Sequence, residues 1–175
     1  MLFKKNKIDQ ILKLNKKKRL KELSDSLDTI VFLDYDGAIN LDLNNFGDKK
    51  FDINCINNLN RFCLKYNARI VVISSWRKYS NYKELLYNSG LDKRIIIDGK
   101  TKHMETARED EVCDYLLEHP YIGKFIIIDD GKFNLLNKYQ VQTITKYGFN
   151  DEKYDEACIL IESIKENKES HYLDI

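Results

Sequence analysis

Short, wholly apolar runs alternate along this chain with longer segments whose apolar residues recur at helical spacing. TIVFL (29–33), RIVVI (69–73) and KFIII (124–128) are continuous rather than alternating, which predicts strands buried on both faces, as in a parallel sheet. RIII (94–97) and VQTIT (141–145) predict two more strands. Residues 52–66 open on Asp52 as an N-cap and carry Ile53, Ile56, Leu59, Phe62 and Cys63 along one side, which predicts a helix. Further helices are expected over 79–89, stopped by Gly90, over 106–119, stopped by Pro120, and over 151–166. Near the start, apolar residues at 8, 11, 12, 20, 23 and 27 fit an amphipathic helix, which the polar run 15–19 divides. Strand and helix alternate throughout. The expected fold class is therefore α/β, a doubly wound and mainly parallel central sheet.

Composition narrows this little. A chain of 175 residues, 43% hydrophobic and 33% charged, is long enough for one domain with a real core and short for two. The expected division is a basic helical leader (1–27), one α/β domain (28–166) and a C-terminal tail (167–175). Net charge is +1, yet residues 1–23 hold nine Lys and Arg against Asp9 and Glu22, and residues 151–175 hold eight acids against three lysines. That leader either meets an anionic partner such as nucleic acid, docks on the acidic C-terminal helix, or is a solvated helix face. Cys55, Cys63, Cys113 and Cys158 form no CxxC pair, which argues against a zinc site and for a reduced interior. No signal-peptide h-region and no run of membrane-spanning length are present, so a cytoplasmic protein with no membrane partner is expected.

The chemistry sits where the apolar runs end. Asp34-Tyr35-Asp36-Gly37 follows the first, Ser74-Ser75-Trp76-Arg77 the second and Asp129-Asp130-Gly131 a third. In a doubly wound sheet those are the carboxyl ends of strands, where ligands bind. Carboxylates gathered there repel unless a cation joins them, and hard oxygen ligands in small number suit Mg²⁺. A metal held by Asp34, Asp36 and Asp129 or Asp130 would also draw in phosphate, which an aspartate could attack to form an aspartyl-phosphate. Gly37 would let its amide approach a phosphoryl oxygen. Taken singly, these residues have plainer readings: DxDG as an Asx turn, Ser74 and Ser75 as caps, Trp76 as packing, Arg77 as the partner of some acid.

FLDYDGAIN, IVVISS and FIIIDD resemble the first, second and fourth motifs of the haloacid dehalogenase-like (HAD) phosphatase superfamily, in order, over residues 29–166. More narrowly, ISSWR, AREDEVCDYLLEHP and FIIIDDG resemble the HAD domain of Swiss Army Knife RNA repair proteins. The resemblance implies that Asp34 is the nucleophile and a Mg²⁺ ligand. It makes Asp36 the general acid and then base, touching the metal through its backbone carbonyl. Ser74 would bond the phosphoryl group, Asp130 would ligate Mg²⁺, and Asp129 would ligate it or stand behind it through water. For the third motif, a cation ahead of the fourth strand, Arg108 fits the narrower family, with Lys102 and Lys100 as runners-up. Glu109 stands where a small residue is expected, and Ala38 where Thr or Val is common.

HAD enzymes of small metabolites usually carry a cap domain, inserted after the first motif or ahead of the third. Here the first gap, Ile39 to Phe51, has room only for a flap around Phe46 and Gly47, and the second, Asp98 to Arg108, is as short. A capless site suits a phosphate on a macromolecule, foremost a nucleic-acid end, with Ser75, Trp76, Arg77 and Lys102 as substrate contacts. Two alternatives remain open at this point: a phosphatase of nucleotides or small metabolites, and a catalytically idle fold acting as a binding module. No GxxxxGK[ST] loop is present, so an end-repair role would be that of the phosphatase alone.

Overall fold

The computed structural model describes residues 28–41, 51–119 and 122–170. The expected leader helix and the flap around Phe46 and Gly47 lie outside these residues. Five parallel strands form one sheet: β1 (Asp28–Leu33), β2 (Ala68–Val72), β3 (Ile97–Lys100), β4 (Ile122–Asp129) and β5 (Gln140–Gln142), in the order β3-β2-β1-β4-β5. Four helices flank it: α1 (Ile53–Tyr66), α2 (Tyr82–Asn88), α3 (Arg108–Glu118) and α4 (Asp151–Ser170). Among the described residues no helix is long and apolar enough to cross a membrane.

The apolar runs are continuous because alternate side chains enter two different cores. Val31, Leu33, Ile70, Val72, Ile126 and Ile128 face Ile56, Leu59 and Phe62 of α1, Leu86 of α2, and Ala157 and Ile161 of α4. Ile30, Phe32, Val71, Ile73 and Ile127 face Val112, Tyr115 and Leu116 of α3. Each fully buried Leu, Ile or Phe there stabilises the fold by about 1.5–3 kcal/mol relative to an exposed one. Helix α1 starts where Asp52 Oδ1 accepts from the N–H groups of Asn54 (2.9 Å) and Cys55 (3.0 Å).

Two expected strands need correction. Residues 94–96 are not in a strand. Asp92 Oδ1 accepts from the Arg94 N–H, which turns the chain, and β3 begins only at Ile97. The run 141–145 supplies just Val141 and Gln142 to β5: the Thr143 N–H still donates to Asp129 O (3.1 Å), its hydroxyl donates to Gly37 O (2.8 Å), and the chain then turns away.

Sequence order runs outward from β1 through β2 to β3, then returns to β4 on the other side of β1. That reversal opens a crevice at the carboxyl ends of β1 and β4, the place where doubly wound sheets bind ligands. Among the described residues no cap interrupts it. Asp52 N–H donates to Ile39 O (2.8 Å), so the ends of the first insertion meet, and residues 101–107 form only a short loop between β3 and α3.

Candidate active site

Asp34 continues β1 by one residue, its N–H donating to Ile128 O (2.9 Å), and Asp129 is the last residue of β4. Pairing of the two strands thus fixes their carboxylates side by side, both almost wholly buried. Arg108, the first residue of α3, lies across them: its Nη1 donates to Asp34 Oδ2 and to Asp129 Oδ2, each at 2.6 Å. Asp130 turns outward and accepts from Thr145 Oγ1 (2.7 Å).

Burial pushes the Asp34 carboxyl above its ordinary range, opposed by Arg108 and by the Tyr35 N–H (2.8 Å). Burial and the neighbouring Asp34 charge raise Asp129 to about 6, again against Arg108. Desolvation works against the Arg108 charge as well, but the two carboxylates outweigh it and hold the guanidinium protonated. The buried acids are therefore compensated only in part by this one cation.

Ligand oxygens of Asp34, Asp129 and Asp130 all lie within 4.8 Å of one another. Octahedral Mg²⁺ with oxygens at about 2.1 Å needs separations of about 3 Å between neighbours and about 4 Å across, so a small closure suffices. Three carboxylates against Arg108 leave two negative charges, which a divalent ion balances. The residues fit the metal.

Asp36 is the expected ligand whose carboxylate stands outside this group. Both its oxygens are committed: Oδ2 accepts from Trp76 Nε1 (2.8 Å) and Oδ1 from Asn40 Nδ2 (2.6 Å). Trp76 is buried, edge-on to Tyr35 and tilted against Phe51, so it offers no open ring face to a base.

Three other expected substrate contacts are engaged within the fold. Gly37 N–H already donates to Asn40 O (2.9 Å) and is not free for phosphate. What glycine provides there is space: at φ +75° an added Cβ would sit 2.1 Å from Asp130 Oδ2. Arg77 is buried and spent internally, donating to Glu111 Oε2 (2.6 Å) and to the carbonyls of Ile73 and Ser74, which clamps the 3₁₀ turn Ser75–Lys78. Lys102 is exposed and paired with Glu118, at the far end of α3 from Arg108, and Lys100 Nζ donates to Arg77 O (2.7 Å). Arg108 alone of the three candidates meets Asp34.

Ser74 is fully buried and hydrogen-bonds Asp34, and Ser75 is exposed beside a cleft of about 280 Å³ whose wall includes His103, Met104, Thr106 and Arg108. Glu109 replaces the expected small residue without disturbing Arg108, because it points away and accepts from the N–H groups of Leu135 (2.5 Å) and Leu136 (2.7 Å). Asn40 and Thr145, which hold Asp36 and Asp130, escaped the sequence reading. Asn40 stands inside the quoted FLDYDGAIN, but the spacing of Thr145 carries no signal.

The sequence model of the HAD domain in Swiss Army Knife RNA repair proteins matches residues 30–154, from β1 into α4. The chain belongs to this family. No curated protein and no solved structure matches it. The HAD domain supports a phosphatase of the HAD type, and its five-stranded parallel sheet is the HAD-like Rossmannoid architecture. The matched span contains the whole acidic cluster and the arginine that bridges it.

Proposed function

We propose that this chain is a Mg²⁺-dependent phosphomonoesterase acting on a terminal phosphate of a nucleic acid through an aspartyl-phosphate. The observation that carries the reading is the meeting of Asp34, Asp129 and Arg108 at one nitrogen, with Asp130 within ligand reach and Asp36 held alongside. Asp34, Asp129, Asp130 and the Asp36 carbonyl would hold Mg²⁺, which when bound offsets the charge of the phosphoryl oxygens.

Asp34 attacks phosphorus through one carboxylate oxygen. As the new O–P bond forms, the bond to the leaving oxygen breaks, and protonated Asp36 gives that oxygen its proton. In the second step the Asp36 carboxylate takes a proton from water as the water attacks phosphorus. The aspartyl O–P bond breaks, inorganic phosphate leaves, and both aspartates return to their starting states. Arg108 opposes the burial that disfavours the Asp34 carboxylate and faces the phosphoryl group with positive charge, while Ser74 donates to one of its oxygens. Residues 28–166 form the phosphatase domain in this reading, with 1–27 as its basic leader, and the protein works in the cytoplasm. The capless crevice and the RNA-repair family support a macromolecular phosphate over a small metabolite.

The test is phosphate release from 3′- and 5′-phosphorylated oligonucleotides and from a mononucleotide, with Mg²⁺ and with EDTA, beside Asp34→Asn. Mg²⁺-dependent release from an oligonucleotide end, abolished in the variant, is expected. Release from the mononucleotide alone refutes the substrate class, and release from none of them with Mg²⁺ bound refutes the activity.

A further inference from the structure

We infer that the strip Lys78–Lys83, exposed over residues 78–81 and joined to Asp36 through Trp76, binds the nucleic-acid strand that carries the scissile phosphate. This deepens the phosphatase reading above and rests on it for the direction of the strand.

The leaving oxygen has to lie beside Asp36 to receive its proton, so the nucleotide behind that oxygen leaves the crevice on the Asp36 side. Trp76 Nε1 is 2.8 Å from Asp36 Oδ2 and marks that side. Trp76 itself is covered, but Tyr79 packs edge-on against it at 6.4 Å between ring centroids and is 62% exposed. Tyr79 is thus an open ring one aromatic step from the general acid. Every base has a π-face, so such a ring serves as a stacking platform without choosing a sequence.

The charge around it has the matching sign. Residues 75–83, SWRKYSNYK, contain no acid; Glu84 is the first. Arg77 is neutralised by Glu111, which leaves Lys78 and Lys83, with Lys100 added from the end of β3. Lys78 and Lys100 are exposed, Lys83 Nζ donates to Ile97 O (2.9 Å) and Lys100 Nζ to Arg77 O (2.7 Å). Among the described residues none of the three lysines is ion-paired with an acid, so their charge is available to backbone phosphates. Ser80 and Asn81, both exposed, add polar groups along the same turn. A small metabolite would reach none of this.

The experiment measures kcat and KM for a phosphorylated single-stranded oligonucleotide and for p-nitrophenyl phosphate, in the full chain and in Tyr79→Ala, Tyr79→Phe and Lys78→Ala. Loss of one stacked base corresponds to about 5- to 150-fold in affinity. The ratio of kcat/KM on oligonucleotide to that on p-nitrophenyl phosphate is expected to fall by such a factor in Tyr79→Ala, through KM, and to be kept in Tyr79→Phe. In parallel, fluorescence anisotropy of the labelled oligonucleotide in EDTA should show weaker binding in Lys78→Ala, with the salt slope reduced by about one phosphate contact. An unchanged ratio overturns the inference. So does an equal loss on both substrates, which would make Tyr79 only a prop for Trp76. Preferential binding of an acidic phosphopeptide overturns it in favour of a protein partner. Should the wild type release phosphate from no substrate, the phosphatase reading fails by itself, and the binding arm still decides the strip.

Discussion

Replacing Gly37 by alanine tests why DxDG ends in glycine. At φ +75° an L side chain is disfavoured by about 1–2 kcal/mol. The larger effect is local: the new Cβ would lie 2.1 Å from Asp130 Oδ2 and 2.3 Å from its Cγ, where ordinary contact requires about 3.5 Å. The Asp130 carboxylate must therefore move by more than about 1 Å, which breaks its 2.7 Å bond from Thr145 Oγ1, worth about 1.5 kcal/mol. Together the expected loss is about 3 kcal/mol of folding stability, or about 6–12 °C in Tm for a chain of this size. Displacing one of three carboxylates should also weaken Mg²⁺ binding by about 10- to 100-fold. Urea unfolding with and without Mg²⁺ reads both quantities. Gly99→Ala is the control, since its Cβ would meet nothing closer than the Tyr115 hydroxyl at 3.7 Å. Adding Asp130→Ala to Gly37→Ala should recover part of the loss, because the obstructing carboxylate is gone. A Gly37→Ala protein with unaltered Mg²⁺ affinity would refute the reasoning, since Asp130 would then either move without consequence or not be a ligand.

Trp76→Phe keeps a ring in the aromatic cluster but removes the N–H that aims Asp36. Its kcat should fall about 10- to 100-fold on alkyl phosphates and much less on p-nitrophenyl phosphate, whose leaving group needs little protonation; equal losses would contradict the Asp36 assignment. In EDTA, Asp129 holds its proton up to about pH 6 when folded but only to about 3.8 when unfolded. The folded state therefore binds more protons between those values, and stability falls by up to about 3 kcal/mol as pH rises through that window, levelling off above it. Asp129→Asn should flatten this part of the stability curve, and parallel curves for variant and wild type would refute it. Glu109→Ala strands the Leu135 and Leu136 amides and should cost about 2–3 kcal/mol by chemical denaturation; a change under about 0.5 kcal/mol would show that water replaces the carboxylate.

What the linear chain determined was the layered sheet and the acids at its edge. TIVFL and RIVVI can be placed only where both faces are covered, and Asp34 and Asp129 each directly extend or end such a run, so their meeting follows once the strands pair in parallel. The cap at Asp52 was legible too, because N-capping is a local bond between neighbours in sequence.

Roles that depend on contacts across the chain were not legible. The AREDEV motif singled out Arg108 by resemblance, but nothing in the neighbours of Arg77 says that Glu111 neutralises it rather than leaving it for substrate. Trp76 reads in the sequence as a packing residue more readily than as an open ring, and it is Phe51 and Tyr35 closing on it that decide for packing. β3 slid past RIII to IDGK because register is set by pairing with β2, not by apolarity alone. Thr145 reached Asp130 only because the chain turned out of β5 after Gln142. Secondary structure and burial are decided by periodicity over a few residues, which sequence records. The partner of a charge is decided by which elements the fold sets side by side, and that exists only in the tertiary structure.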